Sequence, residues 1–302
     1  GCKNENQLSI GVEHEKFIID NRTNQRVNFK TISKIFNFLE QFGWKKIKEK
    51  NYVIGLSREG QSITLEPGNQ IELSGAKLNS IHLNCSESYK YLNELKKACK
   101  KLNLKMMSVS FDPFFKLENV PQTPKQRYKI MTKEMPKDGK LSLHMMYQTC
   151  GTQINLDYIS EKDFAKKFKL SSFLVPISIA IFANSPIIEN GLSGYLSYRS
   201  KVWQNTSRAG LPKFFFEDMD FEKYTDFAID MPLLFVVKGS KYLNPKGKKF
   251  KDFMYGKLSI LKNIKPNIVD FKNHLATIFT EVRLKKYIEI RSLDTCEWDC
   301  HC

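Results

Sequence analysis

The chain lacks any run of about 18 apolar residues, the length a helix needs to cross a bilayer, so no membrane-spanning helix is expected. Its most apolar stretch, residues 173–183, is too short and contains Pro176; it reads as a buried helix. There is no G-x4-G-K-S/T phosphate loop and no G-x-G-x-x-G dinucleotide fingerprint. Both familiar glycine-rich cradles for nucleotide phosphates are therefore excluded. No G-x-S-x-G occurs, and Cys150 has only His144 near it in sequence, so nucleophile-based hydrolysis is poorly supported. Cysteine forms no framework: the seven residues, at 2, 85, 99, 150, 296, 300 and 302, are odd in number and irregular in spacing. Cys296, Cys300, His301 and Cys302 lack the second ligand pair that a structural zinc site needs. Arg-rich tracts, internal repeats and low-complexity segments are missing as well. No signal peptide is visible, and the chain opens on Gly1-Cys2 and stops at Cys300-His301-Cys302. It is expected to be truncated at both ends.

What is present suffices for a large core. The 302 residues are 41% hydrophobic and 12% aromatic, enough for one large domain or two smaller ones. The formal charge is +16. It comes mostly from scattered lysines, which attract small anions more readily than they build a nucleic-acid surface.

Period-two patterns place several polar-faced strands among helices and long loops, an α+β arrangement. In residues 8–19, Glu13 and Glu15 share a face. Two short strands flank Pro67-Gly68-Asn69, with Glu66 and Glu72 on the polar side and Ile63, Leu65, Ile71 and Leu73 opposite. Gln153, Asn155 and Asp157 alternate with Ile154, Leu156 and Tyr158. Residues 281–291 read as one strand whose polar row is Glu281, Arg283, Lys285, Tyr287, Glu289 and Arg291. Met106 to Phe111 reads as a further strand and residues 191–210 as a loop. Helices are expected over 30–42, 86–102, after Ser160 and from about 221.

If the four polar-faced strands are neighbours in one antiparallel sheet, their faces pool into one bowl. Clustered carboxylates repel one another unless cations neutralise them. Oxygen ligands without thiolates suit Mg²⁺ or Mn²⁺. Carboxylate-bound magnesium beside Arg and Lys is the pattern for nucleotide phosphates held without a phosphate loop.

Six segments carry a resemblance. They are Ile10-Gly-Val-Glu-His-Glu-Lys-Phe17, Leu65-Glu-Pro-Gly-Asn-Gln-Ile-Glu-Leu-Ser-Gly-Ala76 and Met145-Met-Tyr-Gln-Thr-Cys-Gly-Thr-Gln-Ile-Asn-Leu-Asp157. Then come Phe182-Ala-Asn-Ser-Pro186, Ser197-Tyr-Arg-Ser-Lys-Val-Trp203 and Phe279-Thr-Glu-Val-Arg-Leu-Lys-Lys-Tyr-Ile-Glu-Ile-Arg291. In this order, across nearly the whole chain, they resemble glutamate–cysteine ligases of the plant and alphaproteobacterial type, a branch of the glutamine synthetase-like ligases. Asn69 stands where the family commonly has Gly, and Thr280 where it has Pro.

The resemblance implies a glutamine synthetase-like fold, with a curved antiparallel sheet forming the active-site bowl and helices outside. Residues 1–302 would form a single catalytic domain. It implies ATP-dependent joining of the glutamate γ-carboxylate to the cysteine amine through γ-glutamyl phosphate, the first step of glutathione synthesis. Glu13, Glu15, Glu66, Glu72 and Glu289 are the implied ligands of Mg²⁺ (Mn²⁺ as substitute). Gln153, Asn155 and Lys16 are implied to hold ATP. Arg199, Trp203, Arg208, Thr149 and Met145, with Met146 beside it, are implied to line the substrate pocket. Arg283, Arg291 and Lys285 are implied to stabilise the transferring phosphoryl group. For these three cations, structural ion pairing with neighbouring Glu is the alternative. A redox-sensitive disulfide between Cys85 and Cys302 is implied too. Expected partners are glutamate, cysteine and ATP, with no nucleic acid and no membrane, in a monomer or redox-sensitive homodimer. The expected location is a bacterial cytoplasm, or a plastid if the source is plant-like. A ligase with another amine acceptor and an inactive regulatory homologue are the competing interpretations.

Overall fold

The computed structural model describes residues 1–297. Its main sheet is built from β1 (Ile10–Asp20), β2 (Lys45–Glu49), β3 (Tyr52–Arg58), β4 (Gln61–Leu65), β5 (Ile71–Ser74), β6 (Leu104–Met107), β7 (Gly151–Leu156), β8 (Val282–Leu284) and β9 (Ile288–Asp294). The order is β8-β9-β7-β1-β5-β4-β3-β2, with β6 on the second half of β1, and every pairing is antiparallel. The helices are α1 (Phe29–Leu39), α2 (Ile81–Lys101), α3 (Gln126–Glu134), α4 (Ser142–Gln148), α5 (Glu161–Ile181), α6 (Tyr198–Gln204), α7 (Phe221–Asp230), α8 (Phe250–Met254) and α9 (Ile268–Leu275). Among the described residues no helix is long and apolar enough to cross a membrane.

Local chemistry sets the boundaries. Asn28 caps α1 by accepting from Thr31 N at 3.0 Å, and a short 3₁₀ turn after α1 stops at Gly43, whose φ of +86° is left-handed. Ser160 opens α5 by accepting from Asp163 N at 3.1 Å. Between β4 and β5 the chain reverses through Pro67-Gly68-Asn69. Asn69 holds φ +60°, a conformation Asn tolerates better than most non-glycine residues. A Cβ on Gly68 would come within 2.4 Å of Tyr147 O, so only glycine lets this turn approach α4.

One face of the sheet is apolar. Leu56, Ile63, Leu65, Ile71 and Leu73 pack with Ile32, Ile35 and Phe36 of α1 and Leu95 and Ala98 of α2. Under the other end, Val282, Leu284 and Ile288 meet Phe164 and Phe168 of α5. Above the polar face, α3, α4 and α6 form a roof around Tyr128, Met131, Met145, Met146, Val202 and Trp203.

Four expectations are corrected. Residues 281–291 are a hairpin, not one strand: β8 pairs with β9 at Val282↔Ile290 and Arg283↔Glu289. Odd positions face odd positions across it, so the polar row survives the reversal. Only Leu104–Met107 is strand before Phe111; beyond it the chain makes one isolated bridge, Phe111 to Thr149. Residues 191–210 contain α6, capped by Ser197. Residues 173–183 are largely helical, but Phe173, Leu174, Ile177 and Ile181 lie exposed rather than buried.

Candidate active site

Register brings the polar residues together. Glu13 lies opposite Gln153, Glu15 opposite Glu72, and Asn155 opposite Glu289. Above this floor is a cavity of about 180 Å³, lined by Glu13, Glu15, Glu66, Glu72, Gln153, Arg283 and Arg291 from the sheet side. Its walls and roof are Arg127, Tyr128, Met131, Met145, Met146, Thr149, Trp203, Phe235 and Phe279. An adjoining groove of about 320 Å³ shares Glu13 and Arg283 and adds Asn155, Lys77, Lys285, Tyr287 and Glu289.

The carboxylates divide into two groups. Burial pushes Glu15 up to about 8, with Glu66 adding repulsion; Arg199, the Gly151 N–H it accepts from at 2.6 Å, and Arg291 oppose this. Glu72 is driven well above the ordinary range, first by burial and then by Glu66, Glu13 and Glu15, and it shares a hydrogen bond with Glu13. Thr64 Oγ1 donates to Glu72 at 2.9 Å, and Asn155 Nδ2 donates to Glu13 at 2.9 Å. Glu289 is the opposite case. Burial alone would raise it, but Arg283, Lys285 and Arg291 outweigh that and hold it at about 2. Arg283 Nε donates to it, Lys285 Nζ is 2.7 Å away and Arg291 Nη1 is 3.7 Å away.

Among the described residues no three His, Cys, Asp or Glu side chains are grouped so as to hold a metal ion. The donor chemistry nevertheless fits a hard cation. Glu13, Glu15, Glu66 and Glu72 line one cavity, and Glu15 and Glu72 are raised by mutual repulsion as well as burial. Glu289 departs from the expected metal set, because its charge is already taken up by three cations.

Other expected site residues divide likewise. Thr149, Met145, Trp203, Gln153, Arg283 and Arg291 line the cavity; Asn155 and Lys285 line the groove. Arg291 Nη1 donates to Gln153 Oε1. Arg199 does not line the cavity. It lies behind Trp203, its guanidinium 4.6 Å from the indole ring, and donates from Nη2 to Arg291 O at 2.7 Å. Arg208 is also turned away. It donates to Asp138 at 2.6 Å and to the carbonyls of Thr277 and Pro232 at 3.1 and 3.2 Å. Lys16 lies on the opposite face of β1 from Glu13 and Glu15, because its position has the other parity. It is buried there, donating to Thr295 Oγ1 at 3.0 Å and to Cys296 O. Among the described residues Cys2, Cys99 and Cys150 are free thiols. Cys302, and with it the expected pairing to Cys85, lies outside the described residues, as do Cys300 and His301 of the cysteine cluster.

Sequence reasoning missed the contribution of α3. Arg127 reaches the cavity with its Nε buried and unbonded, and its Nη2 donates to Tyr128 OH at 3.1 Å. Beside it, burial lowers Lys125 to about 8 while its Nζ donates to Leu65 O at 2.7 Å. Buried Glu281 sits close enough to Arg199 and Arg291 to feel both, and burial raises it to about 7. No periodicity marks Arg127 or Lys125; only the folded arrangement of α3 over the sheet reveals them.

Known proteins share this sequence pattern. The chloroplastic glutamate–cysteine ligase of Nicotiana tabacum is 43% identical over 302 residues, covering 99% of this chain and 58% of that protein. Glutamate–cysteine ligase A of Oryza sativa subsp. japonica, also named chloroplastic, is 45% identical, covering 99% of this chain and 61% of that protein. The Arabidopsis thaliana counterpart is 42% identical, with 99% and 58% covered. The chain thus spans about three fifths of the length of the curated relatives it matches. Among solved structures, a glutamate–cysteine ligase from Francisella tularensis in complex with AMP is similar at 13% identity and TM-score 0.46, covering 95% of this chain and 61% of that one. That likeness is too distant to bear on individual residues. With the family model matched from residue 9 to residue 302, the chain belongs to glutamate-cysteine ligase family 2.

Proposed function

We propose that this chain is the core of a single catalytic domain that joins glutamate to cysteine at the expense of ATP, the first step of glutathione synthesis. One observation carries the reading. Mutually repelling carboxylates (Glu13, Glu15, Glu66, Glu72) stand beside a row of Arg283, Arg291 and Lys285 in one cleft. Such a site has charge on hand for a cation and for phosphates together.

In the proposed reaction a γ-carboxylate oxygen of glutamate attacks the terminal phosphorus of ATP, and ADP leaves. The cysteine nitrogen then attacks the acyl carbon. The carbon–oxygen bond to phosphate breaks, the amine loses a proton, and γ-glutamylcysteine and phosphate are released. Mg²⁺, or Mn²⁺ in its place, would be held by Glu13, Glu15, Glu66 and Glu72 and would supply neutralisation of phosphate charge. Arg283 and Arg291 meet charge developing on the transferring group, and Lys285 serves the groove where the nucleotide extends. Gln153 and Asn155 orient oxygens between them. Arg127, which lines the cavity and has a buried Nε without a partner, suits an amino-acid carboxylate. Trp203, Met145, Met146 and Thr149 exclude water from the acyl intermediate. Arg199 acts from behind Trp203, and Arg208 anchors the wall. The plastid is the favoured location, since the relatives are named chloroplastic. A redox-sensitive Cys85–Cys302 bond, in a monomer or a redox-sensitive homodimer, completes the proposal.

The test is ADP release in reducing buffer with Mg²⁺, ATP and glutamate, with and without cysteine. It is run on this chain and on the chain extended by the rest of a family polypeptide. Turnover that requires both amino acids is expected. Turnover with another amine but not cysteine would reassign the acceptor, and ATP binding without turnover in the extended chain would indicate an inactive homologue.

A further inference from the structure

The C-terminal half of α5 is inside out for an outer helix. Its inward positions are Ser171, Ser172 and Val175, all buried, and Ser172 Oγ satisfies itself on Phe168 O at 2.9 Å. Its outward positions are Leu170, Phe173, Leu174, Ile177 and Ile181, exposed by 56, 51, 41, 53 and 73%. The spacing i, i+3, i+4, i+7, i+11 makes them one stripe. Phe173 extends it to Phe216, ring centre 5.1 Å away. From Leu170 through Ile188 there is no charged residue. Singly exposed apolar side chains are ordinary; a contiguous uncharged stripe of large ones marks a surface that another element covers.

Both faces of the main sheet are already covered. The polar face of the sheet carries the cleft and its roof, and the apolar face is packed by α1, α2 and the inner side of α5. The curated relatives match 99% of this chain yet carry about two fifths of their length outside the match. For an element of that polypeptide, α5 offers an apolar seat without charge. We propose that, in a full-length polypeptide of this family, the portion outside the matched stretch lays an apolar helical face on the α5 stripe. There α5 becomes the middle of three layers rather than the outermost.

Hydroxyl-radical footprinting read by mass spectrometry tests this. The 302-residue chain is compared with the same chain joined, in native order, to the unmatched polypeptide of the Nicotiana tabacum ligase. Oxidation of Phe173, Leu174, Ile177 and Ile181 is expected to be rapid in the chain alone and several-fold slower in the joined protein. Equal rates in a folded joined protein would overturn the proposal. So would protection in the chain alone that grows with concentration and accompanies a dimer mass, because the occupant would then be a second copy. If the joined protein fails to fold, the intact tobacco ligase is footprinted over its segment matching 170–181, where full reactivity would overturn the proposal.

Discussion

Arg208 and Arg127 look alike in sequence and differ in what surrounds them. Arg208 is locked to Asp138 and two carbonyls. Arg208→Ala strands a largely buried carboxylate and is expected to cost about 3–5 kcal/mol of stability in urea unfolding, with ligand affinity of the folded fraction unchanged. Arg127→Ala should do the reverse, leaving stability within about 1 kcal/mol while weakening glutamate or ATP binding by calorimetry. Glu15 adds a pH signature. Its carboxyl titrates at about 8 in the fold against an ordinary 4.5, so between those values the folded chain keeps a proton that the unfolded chain has lost. In the absence of divalent cations the Glu15 contribution to stability is therefore fully present below pH 4.5 and is lost as pH rises through about 8. Thermal melts of Glu15→Gln should lack that decline, and a Glu15→Gln profile parallel to the unsubstituted chain would refute the assignment.

At the scale of elements, α9 is seated by one buried imidazole. His274 Nε2 donates to Ala228 O at 2.7 Å, and its ring stacks on Phe250 at 5.0 Å. Burial holds its pKa at about 4 against an ordinary 6.5. Its contribution is complete above 6.5 and is lost as pH falls through about 4; His274→Leu should flatten that part of the acid-unfolding curve measured by circular dichroism. Elements of this kind were legible unequally. The floor strands β1, β5, β7 and β9 could be read from alternation alone, because one packed face imposes period two. The hairpin between β8 and β9 escaped notice, since Lys285-Lys286-Tyr287 contains neither glycine nor proline and preserves parity. Helix α6 was hidden in an apparent loop, its seven residues being too short for a periodic signal. The inward-outward sense of α5 was also illegible, because a helix apolar on nearly every side does not say which side faces the protein.

For the whole molecule the excess of positive charge has a kinetic meaning. A net charge of +16 raises the local concentration of polyanions, and screening over about 8 Å at physiological ionic strength removes much of that effect. Nucleotide association measured by stopped flow should slow as salt rises, with dissociation nearly constant; a salt-independent association rate would locate the lysines away from the approach path. The raised carboxyls of the cleft carry one more consequence. Glu15, pushed up to about 8, holds hydrogen at neutral pH in place of a counter-ion, so any divalent cation that settles against it has to evict it. Loading the cleft would then acidify a weakly buffered solution. The heat of loading would change with the ionisation enthalpy of the buffer, and affinity would strengthen as the medium becomes more alkaline. A compartment whose pH and free magnesium rise together would switch such a site on through mass action alone, without any moving part.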